Sequence, residues 1–189
     1  GIRLRVWADG RLEGFYGTGL VSDGPVIQTP VGAVTAGEWH HVAFARDAGE
    51  GQLYIDGLLS ASSSSLGSQN ISYNGGAYEH DEYQLGRCWS TVNPGEQYFD
   101  GAMRHVGVWA RGLLATEVAS LAGTASPADI TEDLRGSWLL DATTSICDPS
   151  PCADLYEDTS ANDNHGAAFG PVQAPRLAAR MRAVRQRHR

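Results

Sequence analysis

Residues 2–7, IRLRVW, alternate strictly: Ile2, Leu4 and Val6 fall on one side of the chain and Arg3, Arg5 and Trp7 on the other. That two-residue period predicts a half-buried strand. Asp9-Gly10 follows, a pair that favours tight hairpin turns, so RLEGFYGTG is expected to return antiparallel. Residues 25–34 predict a second, short strand pair, which Pro25 and Pro30 restrict to an edge. WHHVAFAR (39–46) and QLYID (52–56) predict two more strands joined by a turn at DAGEG, and Asp56-Gly57 turns the chain again. Side chains alternate along a strand, so His40 and His41 are expected on opposite faces and not in one shared site.

The serine run 60–65 predicts a loop or ragged edge, and residues 70–84, NISYNGGAYEHDEYQ, a long exposed loop. YQLGRCW and QYFDGAMRHVGVWAR read as two further strands separated by STVNPGE. LLATEVASLA is the one helical segment, with Leu114, Val118 and Leu121 at helical spacing. GSWLLDA predicts another strand, followed by a cysteine loop, the polar run DLYEDTSANDNHG and a last short strand, AAFG. RLAARMRAVRQRHR is helix-competent, with only Leu177, Met181 and Val184 as an apolar stripe, and residues 171–189 read as a basic tail or linker.

This pattern describes an all-β chain with many turns, and the 23 glycines and frequent serines agree with it. The length of 189 residues suits one domain with its own core, assigned to residues 1–170. The chain opens at Gly1 without a methionine, and the expectation is a mature form or a fragment.

Charge narrows the partners. All 14 basic residues are arginines, and all 22 acids lie within residues 1–163 beside only 8 of those arginines. An acidic body argues against nucleic acid as the ligand, since phosphate backbones need a basic surface. No run of residues approaches the roughly 20 apolar positions of a membrane-spanning helix. Cys147 and Cys152 bracket the short loop CDPSPC. A disulfide between them is preferred to free thiols if the compartment oxidises, with Cys88 left as a small buried hydrophobe.

Taken in order, GEWHHVAFARD, QLYIDG, YQLGR, YFDGAMRHVGVWARGL and LLATEVASL resemble the laminin-G-like, concanavalin A-like family of jelly-roll domains. The likeness covers about residues 37–122. It implies an antiparallel jelly-roll β-sandwich (concanavalin A-like) in which Trp39, His41 and the Asp56-Gly57 turn are architecture. Two departures stand out. Ala102, Met103, Arg104 and His105 follow Gly101 where many relatives carry an acidic pair. Moreover, GSWLLDA with DTSANDNHGAAFG is similar to the start of such domains, so residues 134–170 either close the same sandwich or begin a second repeat.

The same fold carries β-glucanases, whose retaining mechanism sets two carboxyls about 5–5.5 Å apart. EHDEYQ (79–84) matches that motif only superficially, because Gln84 stands where the second acid is needed and can neither protonate a leaving group nor attack. The expectation is therefore a chain without catalysis. Sugar binding needs exposed aromatic faces beside planar polar groups. Tyr73, Asn74, Tyr78, His80, Asp81, Trp89 and Asn93 supply that mixture, so the expected ligand is a glycan or glycoconjugate, bound by a module of a secreted or cell-surface protein. The other reading is a structural or adhesive module that meets neighbouring domains or copies of itself, its arginine tail engaging an acidic body. The resemblance also implies calcium, which such domains often carry. Asp158, Asn162 and Asp163, with Asn164, are its candidate ligands, against the blander reading of a solvated acidic turn. Asn70-Ile71-Ser72 is formally a glycosylation acceptor.

Overall fold

The computed structural model describes residues 2–16, 26–47, 49–64, 85–88, 97–123, 125–141, 144–146, 153–167 and 185–186. The alternating opening segment forms β1 (Ile2–Val6), which pairs antiparallel with β2 (Leu12–Tyr16), and β2 pairs with β3 (Val26–Gln28). A second three-stranded antiparallel sheet contains β4 (Val42–Asp47), β5 (Glu50–Ile55) and β6 (Leu58–Ser63). β7 (Arg87–Cys88) pairs with β8 (Gln97–Tyr98), and β9 (Gly101–Ala102) and β10 (Val106–Trp109) follow. The helix α1 (Ala115–Gly123) and a 3₁₀ turn at Pro127–Asp129 lead into β11 (Leu134–Trp138), which pairs antiparallel with β10. β12 (Thr144–Ile146), β13 (Ala153–Tyr156) and β14 (Gly166–Ala167) make another antiparallel sheet, and β15 (Arg185–Gln186) lies against β9.

The first two sheets face each other. Leu12, Tyr16 and Ile27 from one and Leu53 and Ile55 from the other share a buried cluster with Val34, and Val6, Val42, Phe44 and Ala61 pack on it. Burying a leucine such as Leu12 or Leu53 completely is worth about 1.5–3 kcal/mol. The sheets come closest at Gly14, where an added Cβ would lie 2.9 Å from Phe44 Cδ2 and 3.0 Å from Leu53 Cδ2.

The second sheet is covered on its other side as well. Ala43, Ala45 and Tyr54, the residues that alternate with Val42, Phe44, Leu53 and Ile55, pack with Leu113 and with Val118 of α1. Two-residue alternation therefore places one set of β4–β5 side chains in the sandwich and the other under the helix. This is the all-β, antiparallel architecture with one α-helix that the hydrophobic pattern predicts.

Several expectations are corrected in detail. Residues 25–34 hold one strand, β3, and not a pair: beyond Pro30 the chain turns back so that Gly32 and Val34 donate to the carbonyls of Asp9 and Gly10. Part of the serine run is ordered strand, because the backbone of residues 61–63 pairs with β5 whatever the side chains are, with Ser60 at a bulge. Residues 97–111 break into three short strands, with His105 at φ 53° between the second and third. Leu114 is 65% exposed, since it precedes the helix and its backbone N–H is capped by the Glu117 carboxylate, while Val118 and Leu121 are buried as expected. Within the basic tail, Arg185 and Gln186 are extended against Ala102 and Gly101 instead of helical.

Candidate functional site

The face of β1–β3 that points away from the sandwich carries three arginines set over aromatic rings. Register sets it out in rows: Arg5 lies opposite Glu13 and Glu13 opposite Gln28, while Arg3 lies opposite Phe15 and Phe15 opposite Val26. Trp7 and Arg11 close the end of the hairpin, where the Trp7 N–H donates to the Arg11 carbonyl. The Arg5 guanidinium carbon sits 3.4 Å from the centre of the Trp7 ring, with that of Arg11 at 5.4 Å from the same ring and that of Arg3 at 4.7 Å over Phe15. Cations over ring faces are attracted by the ring quadrupole.

Glu13 anchors the face. It is buried, and its Oε2 accepts hydrogen bonds from Trp7 Nε1 at 2.9 Å and Gln28 Nε2 at 2.7 Å while Oε1 accepts from Arg3 Nη2 at 3.1 Å. Burial pushes its carboxyl upward, but the donors Gln28 and Trp7 and the charge of Arg3 outweigh burial and hold it below its ordinary value. Gln28 passes the order on, its Oε1 accepting from Arg11 Nη1 at 3.0 Å, and Arg11 Nε also donates to Asp9 Oδ2 at 2.9 Å. Arg5 differs from its neighbours. Among the described residues it has no carboxylate or hydrogen-bonding partner, and the indole beneath it is its contact.

The paired histidines serve the β5–β6 hairpin. Asp56 and Gly57 both have positive φ, 52° and 81°, the conformation of a type I′ turn. The Asp56 carboxylate accepts from the His41 N–H at 2.9 Å and lies 2.8 Å from His40 Nδ1, and the Asp56 N–H donates to the His41 carbonyl. On the other side of the ring, His40 Nε2 accepts the Thr35 N–H at 3.1 Å and lies 2.7 Å from Thr35 Oγ1. Asp, His and a hydroxyl thus stand in line, yet the backbone N–H of Thr35 takes the lone pair that a general base would use. The hydroxyl itself donates to Glu38 Oε2 at 2.8 Å. The arrangement fastens a turn. His40 is buried and His41 half-buried.

The candidate calcium residues form a clasp on β11. Asp158 is buried, and its carboxylate accepts from the N–H groups of Ser137 (2.7 Å), Ser160 (2.9 Å) and Asn164 (3.0 Å) and from Ser160 Oγ (2.7 Å). Burial raises its carboxyl, and these donors overcome it and hold it below the ordinary value. Asn162 and Asn164 donate their side-chain amides to the carbonyls of Leu134 and Arg135, and Trp138 Nε1 donates to the Asn164 carbonyl. With its lone pairs facing four donors, Asp158 has little left for a cation, while Asp163 is exposed at φ 54°. Among the described residues no group of three or more His, Cys, Asp or Glu side chains could hold a metal ion.

Of the residues expected to bind a glycan, Tyr73, Asn74, Tyr78, His80, Asp81, Trp89 and Asn93 all lie outside the described residues, as do Cys147 and Cys152. The β1–β3 face was missed as a site although its signal is in the sequence. Arg3, Arg5 and Trp7 alternate with the apolar positions Ile2, Leu4 and Val6 of one strand, and the returning strand sets Glu13 and Phe15 against them.

Comparison with known proteins bears on residues 1–119, which match a family model described as the concanavalin A-like lectin/glucanases superfamily. No curated protein matches the chain. A crystal structure of part of an S-layer domain-containing protein from Clostridium thermocellum is similar at 25% identity and a TM-score of 0.41, over 65% of this chain and 56% of that one. The present chain thus spans little more than half the length of that structure.

Proposed function

The chain belongs to the concanavalin A-like lectin/glucanases superfamily, and on that premise we propose that it is a non-catalytic carbohydrate-binding, lectin-like module of a secreted or cell-surface protein. The observation that carries this reading is the β1–β3 face, where Trp7 is flanked by Arg5 and Arg11 and ordered beside Gln28 and Glu13. Guanidinium and amide groups held planar on and beside these rings suit the hydroxyl bonding by which sugars are held. In this proposal Tyr73, Asn74, Tyr78, His80, Asp81, Trp89 and Asn93 extend the ligand surface, and a Cys147–Cys152 disulfide accompanies an oxidising compartment.

Glycoside hydrolysis is the reading that family membership leaves alongside. A glycosidase needs one carboxyl whose proton affinity is raised so that it can act as the acid. Glu13, Glu117 and Asp158 are held the other way, below their ordinary values, so none of these three is poised as that acid. The assembly reading draws support from β6, which has β5 as its one neighbour among the described strands and exposes Leu58 (73%) and Leu59 (55%).

A broad glycan array, run with calcium and again with chelator beside a light-scattering mass measurement, separates these readings. Retention of a defined glycan class by a monomer, lost in Trp7→Ala, is the expected result. A silent array with a particle mass of many chains would overturn it in favour of an assembly module.

A further inference from the structure

We propose that Arg5, laid flat on Trp7, is the residue that reads an anionic group at the β1–β3 face, and that the ligand there is a carboxylate-bearing polysaccharide. The inference rests on the carbohydrate-binding reading and narrows its ligand.

The three arginines of this face are not equivalent. Arg3 is tied to Glu13 and Arg11 to Asp9 and Gln28, so their charges are opposed inside the protein. Glu13 lies opposite Arg5 in the ladder, but its carboxylate oxygens face Trp7, Gln28 and Arg3. Arg5 is left with a ring below it and, among the described residues, no anion beside it. On a chain with a formal net charge of -8, an ordered and unopposed guanidinium is the feature of this face that calls for an anion from outside.

Its geometry selects the anion. A guanidinium resting on an indole keeps its N–H fork free at the edge, and that planar fork matches a carboxylate through two parallel hydrogen bonds. Stacking already restricts the side chain, so less freedom is lost when the ligand arrives. The surroundings favour a polysaccharide over an acidic protein. The outward residues of this sheet include only Val26 as an exposed large apolar side chain, too little for the apolar centre of a protein interface. The exposed Gln28 amide and Asp9 carboxylate offer instead the planar polar groups that sugar hydroxyls engage.

The test measures binding to polygalacturonate and to its fully methyl-esterified form, which keeps the sugar backbone and removes the charge, by affinity electrophoresis of the whole chain. Sulfated dextran and poly-glutamate serve as anions of other kinds. Wild type is expected to bind the acidic polymer more tightly than the ester. Arg5→Gln is expected to weaken acidic-polymer binding by about tenfold or more and ester binding far less, so that the preference for the acid is lost, with Arg5→Lys in between. Among the described residues the Arg5 side chain has no polar partner and only the Trp7 ring as a contact, so Arg5→Gln should lower the melting temperature only slightly, and Trp7→Phe provides a second variant that weakens the stack.

Equal binding of acid and ester, unaffected by Arg5→Gln, would overturn the role of Arg5 and leave the carbohydrate reading standing. Binding of neither polymer, nor of sulfated dextran, would overturn both. Arg5-dependent binding of poly-glutamate or sulfated dextran without polygalacturonate would replace the proposed ligand with a protein or a sulfated chain.

Discussion

His40 Nδ1 and Asp56 Oδ2 stand 2.8 Å apart across the β5–β6 turn, and the same carboxylate caps the His41 N–H. One side chain therefore ties the strand entering the second sheet to the hairpin that leaves it. Asp56→Ala removes both acceptors and places alanine at a φ of 52°, so it should destabilise the domain by about 2 kcal/mol. Asp56→Asn keeps an oxygen for the His41 N–H and tolerates that backbone, and should cost about 1 kcal/mol or less. Urea unfolding of the two variants checks the order, and equal losses would show that the turn does not depend on the acceptor.

Gly14 sets the distance between the first two sheets. A methyl there meets Phe44 Cδ2 and Leu53 Cδ2 at 2.9 and 3.0 Å, and Leu53 is fully buried with little room to give. Gly14→Ala should therefore lower stability by about 1–3 kcal/mol even though it favours the strand conformation. A thermal melt at or above the wild-type midpoint would mean that the two sheets slide apart at small cost.

Much of this fold was legible as local pattern, although in β1 the strand is kept without its expected burial, since Ile2 and Leu4 are exposed and Arg3 and Arg5 half-buried. The IRLRVW segment, the Asp9-Gly10 and Asp56-Gly57 turns and the Val118–Leu121 stripe each follow from local sequence, and the structure keeps them. What was not legible depends on partners distant in the chain. Nothing local reveals that Thr29–Val34 folds back on Asp9 and Gly10, or that the polar run after Tyr156 binds β11 through Asp158, 21 residues from Ser137. For the candidate site the alternation of arginine and tryptophan was visible. Arg11 is neutralised by its neighbour Asp9, but that Glu13, opposite Arg5 in the ladder, turns its carboxylate to Arg3 and leaves Arg5 without an anion among the described residues depends on Trp7 and Gln28 as well.

The clasp at Asp158 should resist even a conservative change. Oδ1 faces the N–H groups of Ser137 and Ser160, and Oδ2 faces the N–H of Asn164, so either orientation of an asparagine sets its NH₂ against a backbone donor. Asp158→Asn is expected to cost about 2–3 kcal/mol, close to Asp158→Ala, and to alter the fluorescence of Trp138, whose indole bonds the Asn164 carbonyl. Calcium and chelator should leave the wild-type melting temperature unchanged at this loop. A calcium-dependent rise in that temperature, abolished by Asp158→Ala, would make the loop a metal site after all.

Acid should loosen the domain through its paired carboxylates. Glu117 receives both Nη atoms of Arg111, at 2.7 and 2.6 Å, and that pairing, with the Leu114 N–H, holds its carboxyl at about 2 against an ordinary 4.5. Glu13 and Asp158 are depressed as well. A carboxyl whose folded value lies below its unfolded one binds fewer protons when folded, so the stability it supplies is complete above about pH 4.5 and disappears as pH falls toward 2. Partial exposure screens the Glu117 pair, so its share is about 1 kcal/mol. Urea midpoints measured from pH 7 downward should stay level to about pH 5 and then decline. Glu117→Gln should start lower at pH 7 and decline less steeply, because it no longer has that proton to take up. A wild-type midpoint that stays level to pH 2, or a variant with the wild-type slope, would show that this pairing does not couple folding to acid.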